Sequence, residues 1–445
     1  MSARPSARAD RTTGSHGHDD GSAAGPAHAA PHRLGHAPSQ PARAKQLRRH
    51  NLALVLGEVA AGGRPTRAQV AARTGLTKAT VSTLVDTLAA HGLVLEGDPD
   101  RGLVGRPGLP LVLDPGGPAG LGVEVNVDYV SACVVDLTGT VRTARLVPCD
   151  NRHLERLAVL DAAARVARRC AAEARRAGLT VAGVGIALPG LVGLDGILHR
   201  APNLPGWDGL DVAPALAPLL DGLGPVVASD NEANLAALAE RWYGGDPSNR
   251  DFVHVSGEIG VGAGIVVGGA LWRGARGLGG ELGHVAVAPG GDRCGCGARG
   301  CLEQLAGQEA ILRAAGVSVR AATALGTPDG SVQELVRRAR AGDQRTLAAL
   351  ARAGTALGVA LAGLVNVVDV PVVVLGGLYA ELAPWLADPV RAELEARVVG
   401  FAWSPTELRV SRLGGHAAVQ GAAGAVVQAI LADPAGSYPA MLDAS

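Results

Sequence analysis

Gly280-Glu281-Leu282-Gly283-His284 is followed, ten residues past its histidine, by Cys294-Gly295-Cys296-Gly297-Ala298-Arg299-Gly300-Cys301-Leu302-Glu303. Three of the six cysteines in the 445-residue chain crowd into this glycine-rich loop. Three thiolates and one imidazole make a closed tetrahedral zinc set, with no coordination position left for water or substrate. The spacing therefore predicts a structural Zn2+ held by His284, Cys294, Cys296 and Cys301, the ion standing in for a hydrophobic core that so short a loop cannot build. Free or oxidised thiols are the alternative, and the clustering argues against them. The other cysteines, Cys133, Cys149 and Cys170, are scattered. Such usage belongs to a reducing compartment and not to a disulfide framework, which predicts a cytoplasmic protein.

Outward from that loop, polar residues gather where turns interrupt the hydrophobic pattern. Asn203 lies in the loop Ala201–Trp207, Asp230-Asn231-Glu232-Ala233-Asn234 opens a helix, and Glu303 closes the cysteine run. Singly, each reads as a helix cap or a surface charge. Jointly, carboxylates, amides and an imidazole suit a polyhydroxylated ligand, because every hydroxyl both donates and accepts. Between these clusters strands alternate with helices. Gly120–Val135 and Thr140–Pro148 read as hairpin strands, Leu154–Ala177 as a long helix, and Val181–Ala187 and Val226–Ser229 as buried strands. Asn234–Trp242 reads as a helix, and Phe252–Val267 and Ala270–Trp272 as strands of a second lobe. Helices dominate Leu302–Leu364 before a strand at Val372–Leu375. With 63 glycines and only eleven aromatics, this order predicts two α/β lobes flanking a cleft. No stretch reads as membrane-spanning: Leu361–Leu378 is broken by Asn366, Asp369 and Pro371, and the N-terminus lacks an apolar signal core.

The formal net charge of zero is unevenly divided. Residues 41–110 carry ten Lys/Arg against five Asp/Glu, and residues 111–445 carry 27 against 33. A basic module on an acidic body points to a polyanion partner for the module alone. There Leu52, Leu56 and Val59 space one helical face, while Thr66 and Thr77 cap two further helices around Gly75. Two short strand-like runs, Leu93–Leu95 and Leu109–Leu113, flank a Gly/Pro/Asp-rich tip. This predicts a winged helix-turn-helix over residues 46–115, with Val70, Ala71, Val81, Leu84 and Leu88 in its core. The third helix is left presenting Thr77, Lys78, Ala79, Thr80, Ser82 and Thr83 to the phosphates and base edges of double-stranded DNA, with Arg106 in the wing offered to a minor groove. Residues 1–45 have almost no large apolar side chains and are expected to form a disordered tail. Pro115-Gly116-Gly117-Pro118 reads as a linker, residues 119–432 as a sensor domain and residues 433–445 as a C-terminal tail.

These motifs together resemble the ROK family of repressors, open reading frames and sugar kinases, over about residues 46–430. The most specific stretch is the Gly280–His284 and Cys294–Glu303 pair, supported by Gly183–Gly190, the Asn203 loop, Asn231–Glu240, Leu375-Gly376-Gly377 and Ala417–Ala423. The resemblance implies the two-lobed, actin-like ATPase (ribonuclease H-like) sugar-kinase fold, with Asn203, Asn231, Glu232, Glu281, His284 and Glu303 binding a sugar or sugar derivative. His284 then serves zinc through one ring nitrogen and the ligand through the other. Family kinases begin this domain with a Gly-Gly-Thr phosphate loop after an Asp, whereas Glu124-Val125-Asn126-Val127-Asp128 stands here. Side chains replace both glycines and Asp128 adds negative charge beside a would-be triphosphate. Glu258 precedes the second glycine loop, Gly260-Val261-Gly262-Ala263-Gly264. Glu232 replaces the Asp of the kinases' catalytic base, so no catalytic residue is assigned. The expectation is a sugar-responsive repressor, a homodimer or homotetramer without enzymatic activity. An ATP-dependent sugar kinase with an accessory DNA-binding domain is the alternative. No Arg/Lys-rich phosphate clamp is evident in the cleft motifs, which favours a neutral sugar.

Overall fold

The winged module grows from its caps. Thr66 Oγ1 accepts from Gln69 N (3.3 Å) and Gln69 Oε1 accepts from Thr66 N (2.8 Å), a reciprocal box that starts the helix Arg67–Thr74. Gly75 ends that helix at φ 72°, a left-handed conformation that glycine adopts without strain. Thr77 Oγ1 then accepts from Thr80 N (3.1 Å) and starts the helix Lys78–Ala90. Helix Ala44–Ala60 precedes them, and the antiparallel pair Val94–Glu96 and Leu111–Leu113 follows. The computed structural model describes residues 44–98, 108–246, 248–318 and 330–442. Arg106, and all but the last two residues of the expected N-terminal tail, lie outside them.

Two five-stranded sheets frame the rest and share one topology, and a small three-stranded sheet of Leu191–Val192, Ile197–Arg200 and Leu210–Asp211 flanks the Asn203 loop. In the first, Val226–Asn231, Thr180–Leu188 and Pro118–Val125 run parallel, followed by Tyr129–Val135 and Val141–Pro148 in antiparallel pairing. In the second, Glu407–Val410, Val372–Gly377 and Phe252–Gly257 run parallel, followed by antiparallel Val261–Val267 and Ala270–Leu271. The run Gly120–Val135, expected as one strand, is split by a tight turn at Asn126–Asp128, closed by Asn126 N donating to Tyr129 O (3.0 Å). Phe252–Val267 is likewise a hairpin, turning at Glu258–Gly260.

Helix Ala417–Ala432 lies on the first sheet almost backbone to backbone. A Cβ at Gly122 would stand 2.8 Å from Ala423 N, and one at Gly185 2.7 Å from Ala422 C. The other face of that sheet is covered by helix Arg156–Arg176, whose Val159, Leu160, Ala163 and Ala167 join the core. Helix Glu232–Tyr243 packs between Ala417–Ala432 and the second sheet, where Gly262 leaves room for Ala233. Helices Gln308–Ala315, Gly330–Arg340, Gln344–Val368 and Leu378–Arg397 build the second lobe's core. Gln344–Val368 is long and apolar enough to cross a membrane by composition alone, but 61% of its most apolar window is buried in that core.

The core of the winged module is continuous with the first lobe. Leu52, Val55 and Leu56 pack in one cluster with Cys133, Val135, Val426, Val427, Ile430 and Met441. Two expectations are corrected here. Residues 434–442, read as a tail, form the turns Pro434–Ser437 and Pro439–Leu442. They dock because Ala435 and Met441 are buried and Arg48 Nε donates to Met441 O (2.9 Å), while Arg49 pairs with Asp433. The Pro115–Pro118 linker is a docked turn, with Gly116 N donating to Asp114 Oδ1 (2.8 Å) and Arg142 to Pro115 O (2.9 Å).

Candidate functional site

Strand ends and helix starts converge on the cleft between the two sheets. One pocket there is lined by all six residues singled out as ligand contacts, Asn203, Asn231, Glu232, Glu281, His284 and Glu303. Asn126 and Glu258 also line it, and among the described residues no lysine or arginine does. Asn231 is the N-cap of helix Glu232–Tyr243: its Oδ1 accepts from Ala233 N (2.8 Å) and Asn234 N (3.2 Å), and its Nδ2 donates to Gly190 O (2.8 Å). One amide hydrogen is left for a ligand, so Asn231 chiefly fixes the helix that carries Glu232. Asp230 beneath it pairs with Arg273 and accepts from Asn234 Nδ2 (3.1 Å), an ion pair joining the two lobes. Arg152 and Glu309 make a second one at 2.7 Å.

Carboxyl groups dominate the floor. Tyr129 OH donates to Glu124 Oε1 (2.7 Å) and Ser131 Oγ to Glu124 Oε2 (3.0 Å). Asn126 Nδ2 reaches both Tyr129 OH and Glu232 Oε2 at 3.1 Å. Burial, with the charges of Glu124 and Asp128, pushes the Glu232 carboxyl up to about 8. Burial also raises Glu124, against the hydrogen bonds it accepts, and raises Glu281, with Glu303 adding to the effect and His284 opposing it. A smaller pocket behind Glu232 is bordered by Glu124 and Glu258, and a third by Asp128, Glu258 and Glu381. A triphosphate entering this region would meet the carboxylates of Glu124, Asp128, Glu258 and Glu381. Asn126 entered the sequence reading only as a glycine replacement. Its link to Glu232 spans 106 residues and no local pattern announces it.

The histidine and the three cysteines come together as the spacing predicts. Their ligand atoms all lie within 4.8 Å of one another, with His284 Nδ1 3.7 Å from Cys294 Sγ and Cys296 Sγ 3.7 Å from Cys301 Sγ. Tetrahedral bonds of about 2.0–2.3 Å put ligand atoms roughly 3.5 Å apart, so this donor set fits one metal ion. His284 Nε2 faces the other way, 3.9 Å from Glu281 Oε2. One ring thus touches both the metal cluster and the pocket, and the Leu282–His284 turn between strand and loop holds it there.

On the winged module, Val81, Leu84, Val85 and Leu88 turn helix Lys78–Ala90 inward. Thr77, Lys78, Ala79 and Thr83 are exposed, and Thr80 and Ser82 are half-buried. Thr77 and Thr80 spend part of their capacity on the cap, their hydroxyls 2.9 Å apart. The reading missed Arg67, which braces the helix from the preceding one by donating to Ser82 O (3.1 Å) and pairing with Asp86 (2.7 Å).

Comparison with known proteins agrees with this geometry. The signature of the ROK family matches residues 120–429, and that of the MarR family matches residues 53–102. The xylose repressor of Bacillus subtilis is 29% identical over 384 residues, covering 86% of this chain and 96% of that protein. A ROK family transcriptional regulator, a homolog of the E. coli MLC protein, superposes with a TM-score of 0.70 at 24% identity, over 89% of this chain and 99% of that one. A ROK family glucokinase from Streptomyces griseus, solved with glucose and AMPPNP, gives a TM-score of 0.59 at 28% identity, over 69% of this chain and 98% of that one.

Proposed function

The chain belongs to the ROK family, and from that membership we propose that it is a sugar-responsive transcriptional repressor whose kinase-like domain senses its ligand without phosphorylating it. The observation that carries this reading is one continuous helix. Ala417–Ala432 starts with Ala417 and Ala418 beside Glu232 and Glu258, and its last turns bury Val426, Val427 and Ile430 in the core of the winged module. A ligand that moves the pocket floor therefore acts on the DNA-binding module through a rigid element.

In this reading Thr77, Lys78, Ala79, Thr80, Ser82 and Thr83 meet the major groove and Arg106 the adjacent minor groove. Asn203, Asn231, Glu232, Glu281, His284 and Glu303 hold the hydroxyls of a neutral sugar. A pocket without lysine or arginine gives a phosphorylated one no counter-charge. His284, Cys294, Cys296 and Cys301 hold a structural Zn2+, which orients His284 towards the ligand. The protein acts in the cytoplasm as a homodimer or homotetramer, two modules meeting half-sites about 34 Å apart or a multiple of that. Sugar lowers DNA affinity by no more than its own preference for the released conformation.

Fluorescence anisotropy on the DNA upstream of the protein's own gene tests this, at one fixed salt concentration and across a panel beginning with D-xylose. Saturable, competitor-resistant binding that one sugar releases is expected. Specific binding indifferent to every sugar would overturn the sensing role, and sugar-dependent ADP release from ATP would restore the kinase reading.

A further inference from the structure

We propose that Asn126 decides how the pocket meets its ligand: by donating to one oxygen of Glu232 it leaves the other to serve as the hydroxyl of a neutral carboxylic acid, so that Glu232 gives a hydrogen bond to a ligand hydroxyl and does not take its proton. This rests on the sugar-pocket reading above and adds a positioning residue to it.

The geometry is that of a fully committed amide. Asn126 Nδ2 lies 3.1 Å from Glu232 Oε2 and 3.1 Å from Tyr129 OH, with Glu124 Oε1 a more distant acceptor at 3.5 Å, so both of its hydrogens are engaged, and Asn126 Oδ1 accepts from Val127 N (2.6 Å). Asn126 itself is 1% exposed, so its amide has no freedom to turn away. The chain of donors continues through Tyr129 to Glu124, which Ser131 also serves. The network ends on two carboxyl groups, Glu124 and Glu232, and of the two only Glu232 lines the ligand pocket. With Oε2 occupied by Asn126, a proton on Glu232 sits on Oε1.

The surroundings keep that proton in place. From the Pro118–Val125 strand and its turn come Glu124, Asp128 and Tyr129, and from the Phe252–Gly257 strand end comes Glu258. Glu281, His284 and Glu303 line the pocket opposite. The turn Gly414–His416 and the start of helix Ala417–Ala432 contribute Gly414, Gly415, Ala417 and Ala418 to the pocket behind Glu232, while His416 lines the adjoining pocket with Asp128 and Glu258. Among the described residues no lysine or arginine lines either the ligand pocket or the pocket behind Glu232. Burial and the neighbouring charges raise the carboxyl to about 8, so the acid form prevails at neutral pH. A protonated carboxyl cannot act as a general base. The loss of phosphoryl transfer then has a second cause beside the altered phosphate loop.

Two measurements test this. Without ligand, the melting temperature of Glu232→Gln is compared with that of the wild type from pH 5 to 9. Between the carboxyl's ordinary 4.5 and about 8, the folded chain keeps a proton that the unfolded chain releases, so wild-type stability falls as pH rises through that window. The variant has no such proton, so its advantage should climb by several degrees and level off above pH 8. A flat difference from pH 5 to 8 overturns the proposal. With D-xylose and D-glucose as probes, wild-type affinity should hold steady to about pH 7.5 and weaken roughly tenfold per unit beyond pH 8. Asn126→Ala should bind about tenfold more weakly at pH 7 and move the midpoint of that profile upward, because a donor favouring the ionised form is gone. A purely structural role would change affinity and leave the midpoint in place. Affinity that rises with pH overturns the proposal. Failure of the wild type to bind either sugar counts against the sugar reading, while the melting comparison still decides the state of Glu232.

Discussion

Replacing Gly421 by alanine should separate two helices that the pocket depends on. A Cβ at this position would stand 2.5 Å from the carbonyl carbon of Leu235 and 3.1 Å from its Cα, where carbon atoms rest at about 3.5–4.0 Å. The obstacle is backbone, so no rotamer change relieves it and the helices must part by about 1 Å. Overpacking of this kind costs about 1–3 kcal/mol, and a rigid neighbour puts the cost near the top of that range. At roughly 2–4 °C per kcal/mol for a large domain, the melting temperature should fall by about 6–12 °C. Gly363→Ala is the matched control. It lies in the interior of helix Gln344–Val368, exposed, with nothing within 4 Å of a Cβ, and it should gain about 0.5–1 kcal/mol from the lower helix cost of alanine. Both variants are melted by circular dichroism in the same zinc-containing buffer. If Gly421→Ala melts with or above Gly363→Ala, the close packing of Ala417–Ala432 on Glu232–Tyr243 does not hold in solution, and the route from pocket to DNA module falls with it.

Metal analysis of the purified protein should find one zinc per chain. Cys301→Ser should lose it and expose the Cys294–Cys301 loop to proteolysis, whereas full metal content in that variant would remove Cys301 from the ligand set. Arg273→Ala leaves Asp230 buried without its cation and should cost about 3 kcal/mol or more in denaturant unfolding. Arg337→Ala, whose partner Glu334 is one turn away on the same helix, should leave the unfolding midpoint unchanged, because an exposed ion pair is screened by solvent. Thr77→Ala should lose about 1 kcal/mol of stability with its cap, together with DNA affinity. Thr83→Ala, whose hydroxyl returns only to Ala79 O, should weaken DNA binding and leave the melting temperature in place.

What could be read from the sequence was local. Thr66, Gly75 and Thr77 act through neighbours three or four residues away, so their caps and turn are visible in the string and stand where expected. The metal set is nearly as local, since one loop brings three of its four ligands. The ligand cluster was legible through the family resemblance, because turns that deliver Asn203, Asn231 and Glu303 have no local reason to meet. Three features depend on contacts between distant segments and left no such mark. Asn126 reaches Glu232, Met441 accepts from Arg48, and the two sheets share a strand order that no short repeat betrays. The expected tail beyond Asp433 failed for the same reason: short, proline-containing and without helical or strand periodicity, it buries Pro434, Ala435 and Met441, and Arg48, which donates to Met441 O, precedes it by nearly the whole chain.

That docking has a consequence for how the protein is made. Residues 44–60 leave the ribosome long before the C-terminal segment, yet the cluster they join includes Ile430, Ala435 and Met441. At about 5–20 residues per second, the nascent winged module waits on the order of 20–80 s for those partners. During that interval Leu52, Val55 and Leu56 lack part of their cover, which makes the half-made chain a target for chaperones and proteases. A premature stop anywhere before residue 433 would leave the module in that state permanently, even with every DNA-facing side chain present.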